Sequence, residues 1–88
     1  MHEHALMADL MRQILKAAAE EKATAVVGVS VWLGALSHMT PEHFAEHFED
    51  AAAGTIAEGA AIKTETSNDI HNPHATGVLL NGIDVETA

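Results

Sequence analysis

The sequence predicts a two-layer α+β domain, with two helices packed on one face of a three-stranded mixed sheet in the order α-β-α-β-β. Three observations support this. Apolar residues recur at spacings of three and four near the start. They alternate every second residue in the run AVVGVSVWLG. A Thr-Pro start and a glycine stop frame a second helical stretch.

Residues 3–22 read as an amphipathic helix. Met7, Leu10, Met11, Ile14 and Ala18 form its apolar stripe, widened by Leu6 and Leu15, with Asp9, Arg12, Gln13, Lys16 and Glu20 opposite. Residues 25–34 read as a strand. The two-residue period places Val27, Val29, Val31 and Leu33 on the face that carries the helices, and Val26, Gly28, Ser30 and Trp32 on the barer face. Trp32 is there either part of a satellite core or a contact residue. Thr40 is a good N-cap and Pro41 fits the first helical position. Phe44, Ala45, Phe48, Ala51 and Ala52 then make the buried stripe, and Gly54 ends the helix. A short turn at 55–60 leads to a strand at 61–66. Residues 67–77, SNDIHNPHATG, have loop composition. A last strand runs from Val78 to about Glu86. Asn81-Gly82 inside it favours a bulge over a hairpin turn, because the flanking runs are too short for two strands.

Length and composition bound the rest. Eighty-eight residues make one domain, and a chain of this size buries only about 60% of its unfolded surface. Hydrophobic residues are 48% of the sequence, but many are alanine, so the core is small and either modest stability or oligomerisation is expected. There is no cysteine, which excludes disulfides and cysteine-based zinc sites. No basic region precedes an apolar run at the start, and no apolar run is long enough to cross a bilayer. The expected address is the cytoplasm. The net charge of −9, with four Lys and Arg, argues against nucleic-acid and anionic-membrane partners and suits cationic ones, metal ions included.

The chain opens Met1-His2-Glu3 and holds seven histidines. A free amine followed by histidine is a compact chelate. The amine, the His2 backbone nitrogen and the His2 imidazole can reach one ion, and a planar nitrogen set suits Ni(II) or Cu(II). Glu3 adds an oxygen donor. Met1 is expected to remain, since methionine is normally trimmed only before a small residue. The plain alternative for the tripeptide alone is an unstructured start with a chance histidine.

Several segments together resemble one family. MHEHALM is similar to the Met-His-Glu opening of the HypA/HybF proteins, accessory factors for nickel insertion into hydrogenases. VWLGALSHMTPEHFAEHFED resembles that family's Ile-Gly-Ala-Leu-Ser segment followed by Pro-Glu and a phenylalanine-bearing helix. GTIAEGAAIKTE resembles its Gly-Thr-x-x-Glu-Gly-Ala segment, and GIDVE its last strand. The resemblance implies a nickel-binding accessory protein, metallochaperone-like and not an enzyme, that holds Ni(II) transiently at Met1, His2 and Glu3. It implies a hydrogenase precursor or a GTPase accessory protein of nickel insertion as partner. The departure is equally plain. Family members carry a zinc domain with two Cys-x-x-Cys pairs between the second and third strands. This chain has only the loop near 67–77 there, so residues 1–88 read as a single nickel-binding-type domain with no structural zinc.

The other histidines have weaker claims. His4 could give a fourth donor or be a solvated residue of the first helical turn. His71 and His74 bracket Asn72-Pro73 in a loop that could fold over the N-terminal site; plain loop polarity is the alternative. His43 and His47, four apart, share one side of the second helix and could grip a metal. They lack the glutamate placement and further ligand of a metalloprotease motif, and a solvated helix flank is the expectation. His38 reads as structural or exposed. Catalysis lacks support: there is no cysteine nucleophile, no Gly-x-Ser-x-Gly elbow and no phosphate-cradling glycine loop. A reading from a different class is a metal-free interaction domain that binds a protein through the Trp32 face or an open sheet edge. A weak or moderate homodimer through the same surfaces is also expected.

Overall fold

The computed structural model describes residues 3–88, with side chains from Ala5 onward. The elements follow the expected order: α1 (Glu3–Glu20), β1 (Ala23–Leu33), α2 (Pro41–Ala52), β2 (Ala61–Thr66) and β3 (Val78–Thr87). The strands form one mixed sheet in the order β2-β1-β3. β1 pairs with β2 in parallel and with β3 antiparallel. The central place of β1 explains its valine-rich run, since it is covered by a strand on each side.

This topology fixes the direction of both helices. α2 carries the chain from the end of β1 back to the start of a parallel neighbour, so it runs against both strands. α1 joins β1 through Glu21 and Lys22 alone and also runs against β1. Lys22 takes a left-handed conformation, φ 55°, and stops the helix two residues before the expected end. The two helices therefore run in the same direction. Both begin at the end of the sheet where β1 and β2 finish and β3 starts.

The core lies between helices and sheet. Met7, Leu10, Met11, Ile14 and Ala18 from α1 meet Val26, Val29, Val31 and Leu33 from β1 and Phe44, Phe48 and Ala52 from α2. Phe44 and Phe48 stack with centroids 6.1 Å apart. Met39 and Ala57, from the connections around α2, complete the core. Period alone does not single them out, because neither lies within a helix or strand.

Two strand residues depart from the expected alternation. Val29, Val31 and Leu33 face the helices as predicted, but Val27 is 43% exposed and Val26 is buried at 2%. Val26 pairs with Val85 and Gly28 with Asp84, which leaves Val27 as an extra residue. A bulge of this kind reverses the alternation on either side of it. Replacing Val26 by alanine is expected to destabilise the fold by about 1–3 kcal/mol. Val27→Ala should stay within about 0.5 kcal/mol of the parent. Urea titration of the two variants checks this, and the unbulged alternation requires the reverse ranking.

β3 also carries a bulge. Ser30 pairs with Gly82 and Val31 with Leu80, so Asn81 is the extra residue and β3 continues unbroken to Thr87. The expected bulge at Asn81-Gly82 is present. Trp32 pairs with Glu65 on one side and Leu79 on the other. It is half-buried on the bare face of the sheet.

Candidate metal site at the shared helix start

The chemistry-bearing residues collect at one end of the molecule because both helices start there. Residues 34–40 leave the end of β1, and residues 67–77 leave the end of β2 and return to the start of β3. The two connections are tied together by backbone hydrogen bonds. The Gly34 N–H donates to the Gly77 carbonyl at 2.9 Å, the Leu36 N–H to the Ala75 carbonyl at 2.7 Å, and the Ser67 N–H to the Leu33 carbonyl at 2.9 Å. The Ser37 hydroxyl accepts from the Met39 N–H at 3.3 Å and holds the turn that leads into α2. Thr40 caps α2 by accepting from the His43 N–H at 3.1 Å, with Pro41 next to it. Five of the seven histidines, His38, His43, His47, His71 and His74, lie in these connections or in the first two turns of α2. His4 belongs to the first turn of α1 at the same end.

The principal sequence candidates, Met1 and His2, lie outside the described residues, as do the side chains of Glu3 and His4. The backbone of Glu3 opens α1, so the tripeptide leads straight into this helix. His71 and His74 are exposed. Each is held through its backbone, His71 by the Asp69 carboxylate at 3.0 Å and His74 by the Asn72 side-chain oxygen at 2.7 Å. Among the described residues no group of three or more His, Cys, Asp or Glu side chains gathers closely enough to hold an ion.

His43 and His47 depart from the solvated flank expected of them. Both are half-buried. Their rings stack with centroids 4.7 Å apart and planes 19° apart. A cleft of about 260 Å³ runs beside His47, lined by Met7 and Ala8 of α1 and by His47, Asp50 and Ala51 of α2. The i,i+4 spacing is visible in the sequence. The neighbouring wall from α1 is not, because it depends on the parallel course of the two helices.

Residues 1–72 match the profile of the family described as hydrogenase/urease nickel incorporation, metallochaperone, HypA. The chain is 39% identical over 66 residues to the hydrogenase maturation factor HypA of Picosynechococcus, an alignment covering 75% of this chain and 58% of that protein. It is 38% identical over 63 residues to the factor of the same name from Archaeoglobus fulgidus, covering 72% of this chain and 57% of the relative. The chain thus spans little more than half the length of these curated relatives. The fold matches the solution structure of the Ni metallochaperone HypA from Helicobacter pylori with a TM-score of 0.81 at 14% identity, covering 100% of both chains. Sharing its profile from Met1 to Asn72 and its fold throughout, this chain belongs to the HypA family.

Proposed function

We propose that this chain is a nickel-binding accessory protein that carries Ni(II) as cargo to the maturation machinery of a nickel enzyme such as hydrogenase. The observation that carries this reading is the Met1-His2-Glu3 opening, whose Glu3 is the first residue of α1, in a chain of the HypA family. The Met1 amine, the His2 backbone nitrogen and the His2 imidazole supply a planar nitrogen set, with the Glu3 carboxylate beside it. His4, His71 and His74 share that end of the fold and are further candidate donors. Delivery requires release, so a cargo site should be exchangeable rather than closed. The role is delivery and not catalysis. A hydrogenase precursor or a GTPase accessory protein is the receiving partner, in the cytoplasm. Residues 67–77 stand where the resemblance places a zinc domain, so residues 1–88 act as one nickel-binding domain.

Calorimetry with Ni(II) on tag-free protein tests this. The parent is expected to show a binding event that His2→Ala abolishes. Equal binding by the two proteins would remove the N-terminal chelate. Protons compete with nickel for imidazole and amine, so binding should weaken as pH falls through the ordinary histidine range.

The bare sheet face supports a second expectation, a weak homodimer. Trp32 is half-buried there, and its cross-strand neighbour Leu79 is 38% exposed. A specific association needs roughly 1,200 Å² of total buried surface. The charge of −9 opposes it at low salt. Sedimentation at tens of micromolar protein should show more dimer as salt is raised, and less in Trp32→Ala. A monomer at both salt concentrations counts against the dimer.

A further inference from the structure

We propose that His43 and His47 form a second metal-ion site on α2, a two-imidazole grip for a divalent transition ion such as Ni(II) or Cu(II), distinct from the N-terminal chelate. Histidines at i and i+4 project from one side of a helix one turn apart. Here their rings lie 4.7 Å apart by centroid. An ion held by both would lie about 2.0–2.1 Å from one nitrogen of each ring. Two nitrogen donors leave the remaining positions to water or to an incoming ligand. Such a site is exchangeable and is consistent with the absence of a closed three-residue cluster among the described residues.

The surroundings support an ion at this pair. His47 and Asp50 share the wall of the 260 Å³ cleft, which gives the ion room and a negative charge nearby. Glu42 and Glu46 lie on the same two turns of α2, and these carboxylates offset the positive ends of the two helix dipoles that meet here. The thioether-bearing Met7 and Ala8 close the cleft from α1. Because the helices run the same way, the turn carrying Glu3 and His4, one before Met7 and Ala8, lies alongside the turn carrying His43. An ion on the histidine pair is therefore close to the first turn of α1. The pair can take up an ion whether or not the chelate is occupied.

The test uses the full tag-free chain with the N-terminal chelate disabled by His2→Ala, titrated with Ni(II) and, separately, with Cu(II). Bound ion is counted by equilibrium dialysis, and the histidine ring signals are followed by NMR. The His2→Ala protein is expected to keep one equivalent of ion, with paramagnetic broadening first at the His43 and His47 rings. Adding His43→Gln and His47→Gln should remove that equivalent. Either single change should weaken it about tenfold or more, since the second imidazole binds at high effective concentration. Adding His71→Gln and His74→Gln instead should leave it in place. Far-UV circular dichroism reports whether α2 survives the changes, and the broadening pattern in His2→Ala decides the matter without them. A His2→Ala protein that binds no ion, or that broadens first at His71 and His74, overturns the pair. A His2→Ala protein that binds as the parent does, and loses the ion only with His43→Gln and His47→Gln, supports the pair while removing the N-terminal chelate.

Discussion

Gly34→Ala is expected to lift residues 67–77 off the end of the sheet and to cost about 2–4 kcal/mol. A Cβ at Gly34 would lie inside the contact distance of the Ala75 carbonyl oxygen, with the Ala75 carbonyl carbon at 2.6 Å and the His74 oxygen at 2.8 Å. All three are backbone atoms, so no side-chain rotation relieves the clash. Either the strand end or the loop must move, and the hydrogen bonds from Gly34 to Gly77 and from Leu36 to Ala75 are stretched. Lost amide protection in residues 34–37 and 74–77, together with faster proteolysis in the loop, should accompany the drop in stability. Gly82→Ala is the matching control, since a Cβ there has no atom within 4 Å. Equal effects of the two changes would mean that the close approach at Gly34 does not hold the loop. The same contact gives a physical reason for glycine in the Leu33-Gly34-Ala35-Leu36-Ser37 segment: the returning loop crosses the backbone where a side chain would stand.

Phe44→Ala should be the most damaging single truncation of α2. The side chain is fully buried, stacks on Phe48 and belongs to the one core that joins both helices to the sheet. Truncations of this kind cost about 3–5 kcal/mol. For a chain of this size the total stability is only about 4–13 kcal/mol. A fall in melting temperature of roughly 12 °C or more is expected, read by circular dichroism. The exposed Glu49, on the same helix, gives the comparison, and Glu49→Ala should melt within a few degrees of the parent. If nickel binding at the chelate survives in Phe44→Ala below its melting point, the chelate is local to the chain start. If binding falls with partial unfolding, it depends on how α2 supports α1.

The sequence determined the number, type and order of the elements, because their signals are local. The Met7–Leu10–Met11–Ile14–Ala18 stripe, the Thr40-Pro41 start and the Gly54 stop each act within a few residues, and each is where the structure has it. Gly54 takes the left-handed conformation expected of a helix stop, φ 81°. The Met1-His2-Glu3 motif is also local, since a chelate of consecutive donors needs no tertiary contact, and its side chains lie outside the described residues. What remained for the tertiary structure was set by pairing between distant residues. The bulge at Val27 depends on the register of β1 against β3, and that register exchanges Val26 for Val27 in the core. The order β2-β1-β3 makes α2 a parallel crossover, and only this turns both helix starts to one end. His43 and His47 are a helix flank in the sequence. With Met7 and Ala8, His47 lines a cleft, because packing over long sequence separations, and not periodicity, decides what stands opposite a side chain.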